Sequence, residues 1–385
     1  MIYRQVSILK SQSFFLFGAR GVGKSTYLQE SFLQEENNLY IDLLDDQQFE
    51  LYYKDKKLIE DYSLQKKYEW IIIDEIQKIP ELLDRIHRCI EKYKQKFILT
   101  GSSARKIARG GANLLAGRAN VYRLFPFSSV ELKEKFNLSD VLVWGTLPRI
   151  YSLDTFEEKK MFLRSYAQTY LKEEIQQELI LRKIEPFRDF MEIAAQSSGK
   201  ILNFSSIARD VGVDAKTIHN YFQILEDTYL GFFLPAYHRS IRKSQLQSPK
   251  FYFIDNGIKR SLSRELDQKL EARTSEYGEL FEAWVIQEIF RLNFYYNLDY
   301  RLSFFATKHG VEFDLILNRG KEIILIEIKS TNSVNMDEVH SMNKNSDDFP
   351  KQTQKYYLSN DPIDLLREGI HCCHWQIFLE ILSQK

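Results

Sequence analysis

Residues 18–25 read Gly18, Ala19, Arg20, Gly21, Val22, Gly23, Lys24, Ser25, a glycine, four residues, then Gly-Lys-Ser. An apolar run at 14–17 precedes them, and Thr26 opens a helix-compatible stretch to 32. Strand, glycine turn and helix start are the context this spacing needs to be a phosphate cradle. Glycines let the backbone wrap a polyphosphate with its N–H groups turned inward. Lys24 is then placed to reach the β- and γ-phosphates and Ser25 to ligate Mg²⁺, while the helix N-terminus adds partial positive charge. A chain built around this turn is expected to be α/β, with a parallel sheet carrying a nucleoside triphosphate such as ATP.

The 385 residues exceed one ordinary core, so two or three domains are expected. A 44% hydrophobic fraction supports packed domains rather than disorder. With 53 basic and 53 acidic residues, any nucleic-acid contact must come from local basic patches. Three cysteines, two adjacent, do not make a disulfide framework, which fits a reducing compartment. No signal peptide or bilayer-length apolar run is read, so a cytoplasmic protein without membrane contact is expected.

Along residues 1–140, short apolar runs alternate with amphipathic stretches, the pattern of a parallel sheet. Strands are expected at 14–17, 39–43, 70–74, 97–100 and 121–124, with helices near 26–33, 56–65 and 82–93. From 155 to 234 the chain reads helical. From 277 it becomes α/β again, with a long helix and two strands, and the polar stretch 331–348 reads as a loop or disordered insertion.

Trp70-Ile71-Ile72-Ile73-Asp74-Glu75 is a buried strand ending in two carboxylates. Asp74 suits a metal held through water, and Glu75 suits orienting or deprotonating an attacking water. The next strand ends Leu99-Thr100-Gly101-Ser102-Ser103, where Thr100 or Ser102 is placed either to sense the γ-phosphate or simply to cap a turn. Between Glu91 and Glu131 there is no acid, but eight lysines and arginines. Within that interval, the glycine-bearing segment 109–118 can deliver Arg118 as a finger into a neighbour's site or as a phosphate-backbone contact.

These residues resemble the AAA-type ATPases of bacteria and archaea. More closely, the chain resembles a family in which an AAA-type domain precedes a winged helix and a restriction-endonuclease-like domain. The likeness extends over Gly145-Thr146-Leu147-Pro148 and over the segment from Phe251 to Gly257. It implies domains at 1–140, 141–265 and 266–385.

Residues 205–226 read as helix, turn, helix, with Ser205 as cap and Gly212 at the turn. Ile207, Ala208 and Val211, then Ile218, Tyr221, Phe222 and Leu225, form the inward faces. Lys216, Thr217, His219 and Asn220 are expected outward, as residue types that reach phosphates and base edges. Residues 236–250 hold Arg239, Arg242, Lys243 and Lys250 without an acid, as a DNA-contacting wing would. The same module also serves as a packing adaptor in other settings.

Farther on, Glu312-Phe313-Asp314 ends one strand segment, and the next runs from 323 through Glu327-Ile328-Lys329. Period-two geometry puts Glu327 and Lys329 on one face, where two carboxylates can bind Mg²⁺ and the lysine can position water. Glu282, on the preceding helix, is a third carboxylate. The set Glu282, Asp314, Glu327 and Lys329 resembles the PD-(D/E)XK nucleases, a fold that either cuts DNA or only clamps it. His371-Cys372-Cys373-His374 is too compact to surround one tetrahedral ion and reads as a final strand.

Together the readings describe an ATP-driven, DNA-processing homo-oligomer using Mg²⁺, with duplex or branched DNA as partner. The alternative is a nucleotide-dependent switch whose last domain is an inactive docking module.

Overall fold

The computed structural model describes residues 2–34, 37–103, 115, 117–170, 185–238, 240, 244, 247–307, 311–347 and 349–385. In the N-terminal region, five parallel strands stand in the order β2-β3-β4-β1-β5. They are β1 (Ser13–Phe17), β2 (Asn38–Asp42), β3 (Trp70–Asp74), β4 (Lys96–Gly101) and β5 (Ala119–Arg123). Helices α1 (Lys24–Phe32), α2 (Asp46–Lys54), α3 (Leu58–Gln65) and α4 (Leu82–Tyr93) connect or flank them. Alternate residues of each central strand enter different cores. Phe14, Leu16, Ile72 and Ile98 pack with Leu28 and Phe32 of α1. Phe15, Phe17, Ile71, Ile73 and Leu99 pack with Ile59, Leu82 and Ile86 of α3 and α4. A strand apolar on both faces can only be interior, which explains why the unbroken apolar runs are the middle of the sheet. The α2 helix, capped by Asp45 on Gln48 N–H, was absent from the expected elements.

A central helical region follows: α5 (Leu138–Trp144), α6 (Phe156–Tyr170), α7 (Glu185–Gln196), α8 (Phe204–Val211) and α9 (Ala215–Asp227). The expected inward residues Ile207, Ala208, Ile218, Tyr221, Phe222 and Leu225 are buried. The first cap is a correction: Asn203, not Ser205, accepts from Ser206 N–H and starts α8 at Phe204. Strands β6 (Gly231–Leu234) and β7 (Lys250–Phe253) pair antiparallel behind these helices, and α10 (Asn256–Leu262) follows.

The C-terminal region is a mixed six-stranded sheet in the order β12-β13-β11-β10-β9-β8. The long helix α11 (Ser275–Tyr295) leads into β8 (Arg301–Ala306), β9 (Glu312–Arg319) and β10 (Glu322–Ile328), an antiparallel meander. Helix α12 (Met336–Asn345) crosses to β11 (Gln354–Ser359), which lies parallel to β10. The chain ends with β12 (Asp364–Arg367), β13 (Ile370–His374) and α13 (Trp375–Ser383). Two expectations change. Asp314 stands near the start of β9 rather than at a strand end, and the polar stretch 331–348 contains α12, capped by Asn335. Cys372 and Cys373 enter opposite faces of the sheet, so that the two thiols serve separate cores.

One apolar cluster runs from Phe14 and Leu28 through Phe187 and Phe222 to Trp284 and Trp375. The expected divisions at 140 and 265 therefore cross a continuous interior. Among the described residues no helix is long and apolar enough to cross a membrane.

Candidate functional site

The turn after β1 delivers the cradle. Gly23, the residue before α1, has φ 89°, a conformation that a side chain would strain. Lys24 is 6% exposed and its ammonium donates to the carbonyls of Gly18 (2.7 Å) and Ala19 (3.1 Å). The loop thus folds back on its own lysine. Tyr166 Oη, from α6, donates to Arg20 O at 2.9 Å and holds the loop's outer edge.

Since β4 lies between β1 and β3, the ends of three strands meet at Asp74. Ser25 Oγ donates to Asp74 Oδ2 (2.7 Å), Tyr40 Oη donates to the same oxygen (2.6 Å), and Thr100 Oγ1 donates to Oδ1. Thr100 Oγ1 also accepts from Glu75 N–H at 3.1 Å. Burial and the Asp74 carboxylate push the Tyr40 phenol up, so it stays a donor. Glu75 sits in the left-handed region (φ 61°), and Gln77 Nε2 donates both to Glu75 and to Ser102 Oγ (3.1 Å). A cleft of about 1060 Å³ opens over Arg20, Lys24, Ser25, Thr26, Glu75 and Arg149. A smaller one of about 230 Å³ adjoins it at Gly23 and Thr26, walled by Ile2, Tyr27 and Tyr151. Sequence reading missed Tyr40, Gln77, Tyr166 and Arg149. Only Arg149 carried a signal, being next to the Gly145–Pro148 segment.

Arg118 lies elsewhere. It pairs with Glu91 and precedes Ala119, which pairs with Ser13 at the sheet edge opposite the cradle. It is thus remote from its own domain's cleft, and residues 109–114 lie outside the described residues.

On α9, Lys216, His219 and Asn220 are exposed. Thr217 is not a free outward group: its backbone N–H and its hydroxyl both donate to Asp214, the helix cap, at 2.8 Å. Arg239, Arg242 and Lys243 lie outside the described residues. Lys250 corrects the reading of a basic wing. It is 5% exposed, points inward from β7, and lies 2.7 Å from Glu312 and 3.8 Å from Glu282.

That lysine joins the acids of the C-terminal sheet. Glu282 Oε1 accepts from Tyr252 Oη (2.9 Å), Asp314 Oδ2 from Ile328 N–H (2.7 Å), and Glu327 Oε1 from Lys329 Nζ (2.6 Å). Lys329 also stands 3.9 Å from Asp314. Burial, then the Asp314 charge, pushes the Glu282 carboxyl up to about 7 and Glu327 up to about 8. Burial raises Asp314 too. Two ammonium groups therefore neutralise the cluster. Among the described residues no three His, Cys, Asp or Glu side chains gather closely enough to hold a metal ion. Glu282, Asp314 and Glu327, the expected metal set, stand in this cluster with Lys250 and Lys329 beside them.

Comparison with known proteins finds three family models that match successive parts of the chain. Residues 10–133 match the AAA domain family, so this region is an ATP-binding AAA domain. Residues 135–269 and 277–378 match two families described as domains of unknown function, DUF8612 and DUF4143. Uncharacterized proteins of Mycobacterium bovis and Mycobacterium tuberculosis are each 24% identical over 267 residues, 68% of this chain. The match spans only 59% of the length of those relatives. An uncharacterized protein of Haemophilus influenzae is 23% identical over 93% of this chain and 92% of its own. The crystal structure of protein VC1899 from Vibrio cholerae covers 91% of this chain and 97% of its own, at 11% identity and a TM-score of 0.22. Domain III of the Thermotoga maritima replication initiation protein DnaA covers 56% of this chain and 84% of its own, at 14% identity and a TM-score of 0.20. At those scores neither likeness fixes a shared fold.

Proposed function

We propose that the protein hydrolyses ATP in the cleft above Lys24 and uses the cycle to act on DNA through its central and C-terminal regions. The observation that carries the hydrolytic part is the meeting of Ser25, Thr100 and Asp74 beside the buried Lys24. Hydroxyl and carboxylate oxygens side by side next to a phosphate cradle suit Mg²⁺, with Ser25 and Asp74 as its holders. The ion would neutralise charge on the terminal phosphates. Glu75, at the mouth of the same cleft, is the residue to orient water, with Gln77 fixing its side chain. Thr100, tied to both Asp74 and Glu75, is the better candidate for sensing the γ-phosphate than Ser102. Arg118, at the end of β5 away from the cradle, suits a finger entering a neighbouring subunit, which supports a homo-oligomer.

The DNA part rests on the central and C-terminal regions. Exposed Lys216, His219 and Asn220 on the second helix of a capped helix-turn-helix support reading 141–265 as a winged helix that meets DNA. The order helix, antiparallel meander, crossing helix, parallel strand supports a PD-(D/E)XK-like fold for the last third. Lys250 lodged among its acids favours a region that clamps rather than cuts. The same observation supports a second reading, a nucleotide switch with a protein partner.

Purified protein offered ATP, Mg²⁺ and labelled linear, forked or four-way DNA separates these. The DNA reading expects ATP turnover to rise with DNA and affinity to fall steeply with salt. ATP turnover indifferent to every DNA, with no binding at low salt, overturns it in favour of the switch.

A further inference from the structure

Three charged side chains with no role in either site are almost fully enclosed: Asp255 (1% exposed), Glu288 and Arg291 (both 0%). Enclosed charge survives only when paired and hydrogen-bonded, and beside local partners each of these side chains has one far along the chain. Asp255 Oδ2 accepts from Thr146 N–H (2.6 Å), while its Oδ1 caps α10 at Ile258 N–H (3.1 Å). The Arg291 guanidinium donates to Phe127 O (2.9 Å), Thr146 Oγ1 (3.3 Å), Glu288 (2.8 Å) and Ile254 O (2.7 Å). Glu288 in turn accepts from the backbone and hydroxyl of Ser129, each at 2.7 Å. Backbone approach is so close that a Cβ on Gly145 would stand 2.0 Å from Asp255 Oδ1.

Thr146 is what makes this junction informative. Two residues farther, Pro148 stands where a Cβ on Gly23 of the cradle would lie 3.6 Å from its Cγ, and Pro148 and Arg149 line the nucleotide cleft. Consecutive Cα atoms sit about 3.8 Å apart, so Pro148 lies within two Cα steps of Thr146 and its reach at the cleft is limited by where Thr146 is held. On the other side of the junction, α11 carries Arg291 and, about 13 Å along its axis, Glu282 in the acid–lysine cluster. A second tie runs in parallel: Phe125 N–H, in the segment following β5, donates to Tyr295 Oη at the end of α11 (3.1 Å).

We infer that Asp255 and Arg291 are positioning residues for the nucleotide cleft, and that occupancy of the cleft reaches the C-terminal sheet through Thr146 and the rod of α11. The inference rests on the ATP reading above. Coupling between sites is reciprocal in binding: what nucleotide does to α11, the ties on α11 do to nucleotide affinity. A purely structural lock would hold the regions together yet leave α11 indifferent to nucleotide.

Hydrogen exchange on the full chain, with and without AMP-PNP and Mg²⁺, tests it. Nucleotide should slow exchange in 18–30 and also in 278–292, the latter by about 5-fold or more. In Asp255→Asn, whose amide turns a donor toward Thr146 N–H or Ile258 N–H, protection at 18–30 should persist while that at 278–292 disappears. Its kcat should fall about 10-fold with KM within about 3-fold. Thr146→Val, which replaces the hydroxyl by a methyl group, should lose part of the α11 response and carries the test if the first variant does not fold. Protection of 18–30 without 278–292 in the wild type overturns the coupling alone, as does undiminished α11 protection in both variants. AMP-PNP that protects neither segment of the wild type overturns the nucleotide reading and the coupling with it.

Discussion

The carboxylate beside the phosphate cradle and the carboxylates of the C-terminal cluster are held in opposite ways. Asp74 is surrounded by hydroxyls, from Ser25, Tyr40 and Thr100. Glu282, Asp314 and Glu327 are surrounded by ammonium groups, from Lys250 and Lys329. A hydroxyl is both donor and acceptor and can rotate to face a cation. An ammonium can only donate, and it already supplies the charge that a metal would bring. The first arrangement is suited to exchange its partners during a reaction cycle. The second is suited to persist, and its raised carboxyl groups show how little ionisation it tolerates beyond what the two lysines balance.

The largest effect expected is at the first site. Lys24→Ala should lower ATP turnover by about 10²–10³-fold or more, read as phosphate release; turnover that persists would break the assignment of that cleft. Glu75→Gln should cost about 10²-fold in kcat while nucleotide still binds, as seen by calorimetry. At the second site, Lys250→Met leaves Glu282 without its ammonium neighbour and should destabilise by about 1–3 kcal/mol in urea. Ser25→Ala should change stability by less than about 1 kcal/mol, and equal losses in the two variants would erase the contrast. The last effect is in pH. Glu282 and Glu327 hold protons more tightly folded than unfolded, so between about pH 4.5 and 8 the folded state binds more protons. Stability should therefore fall as pH rises through that window and level off above it, read as a falling Tm. Glu327→Gln should flatten the curve.

Much of the first site was legible in the chain because its parts are local. Spacing in 18–25 dictates a turn, and the apolar run before Asp74 dictates a buried strand, so both ends of the cleft could be read without the fold. Tyr40 could not be read, because it stands on a strand that reaches Asp74 only through lateral pairing. Lys250 was misread for the same reason. Acid-free sequence around it suggests an outward basic surface, but its acids lie on β9 and α11, far along the chain. Helix α12 escaped because polar residues dominate its sequence and only the tertiary packing of Val339 and Met342 reveals the buried side.

By itself, then, the amino-acid order determined the α/β character, the phosphate turn and the pairing of Glu327 with Lys329 on one strand face, since each depends on residues within a few positions. Only the tertiary structure decided that Thr100 stands between Ser13–Phe17 and Trp70–Asp74, that Lys250 faces inward, and that Thr146 is held by Asp255 and Arg291. Those contacts join residues separated by many positions in sequence, and which of them form depends on how whole elements pack to exclude water.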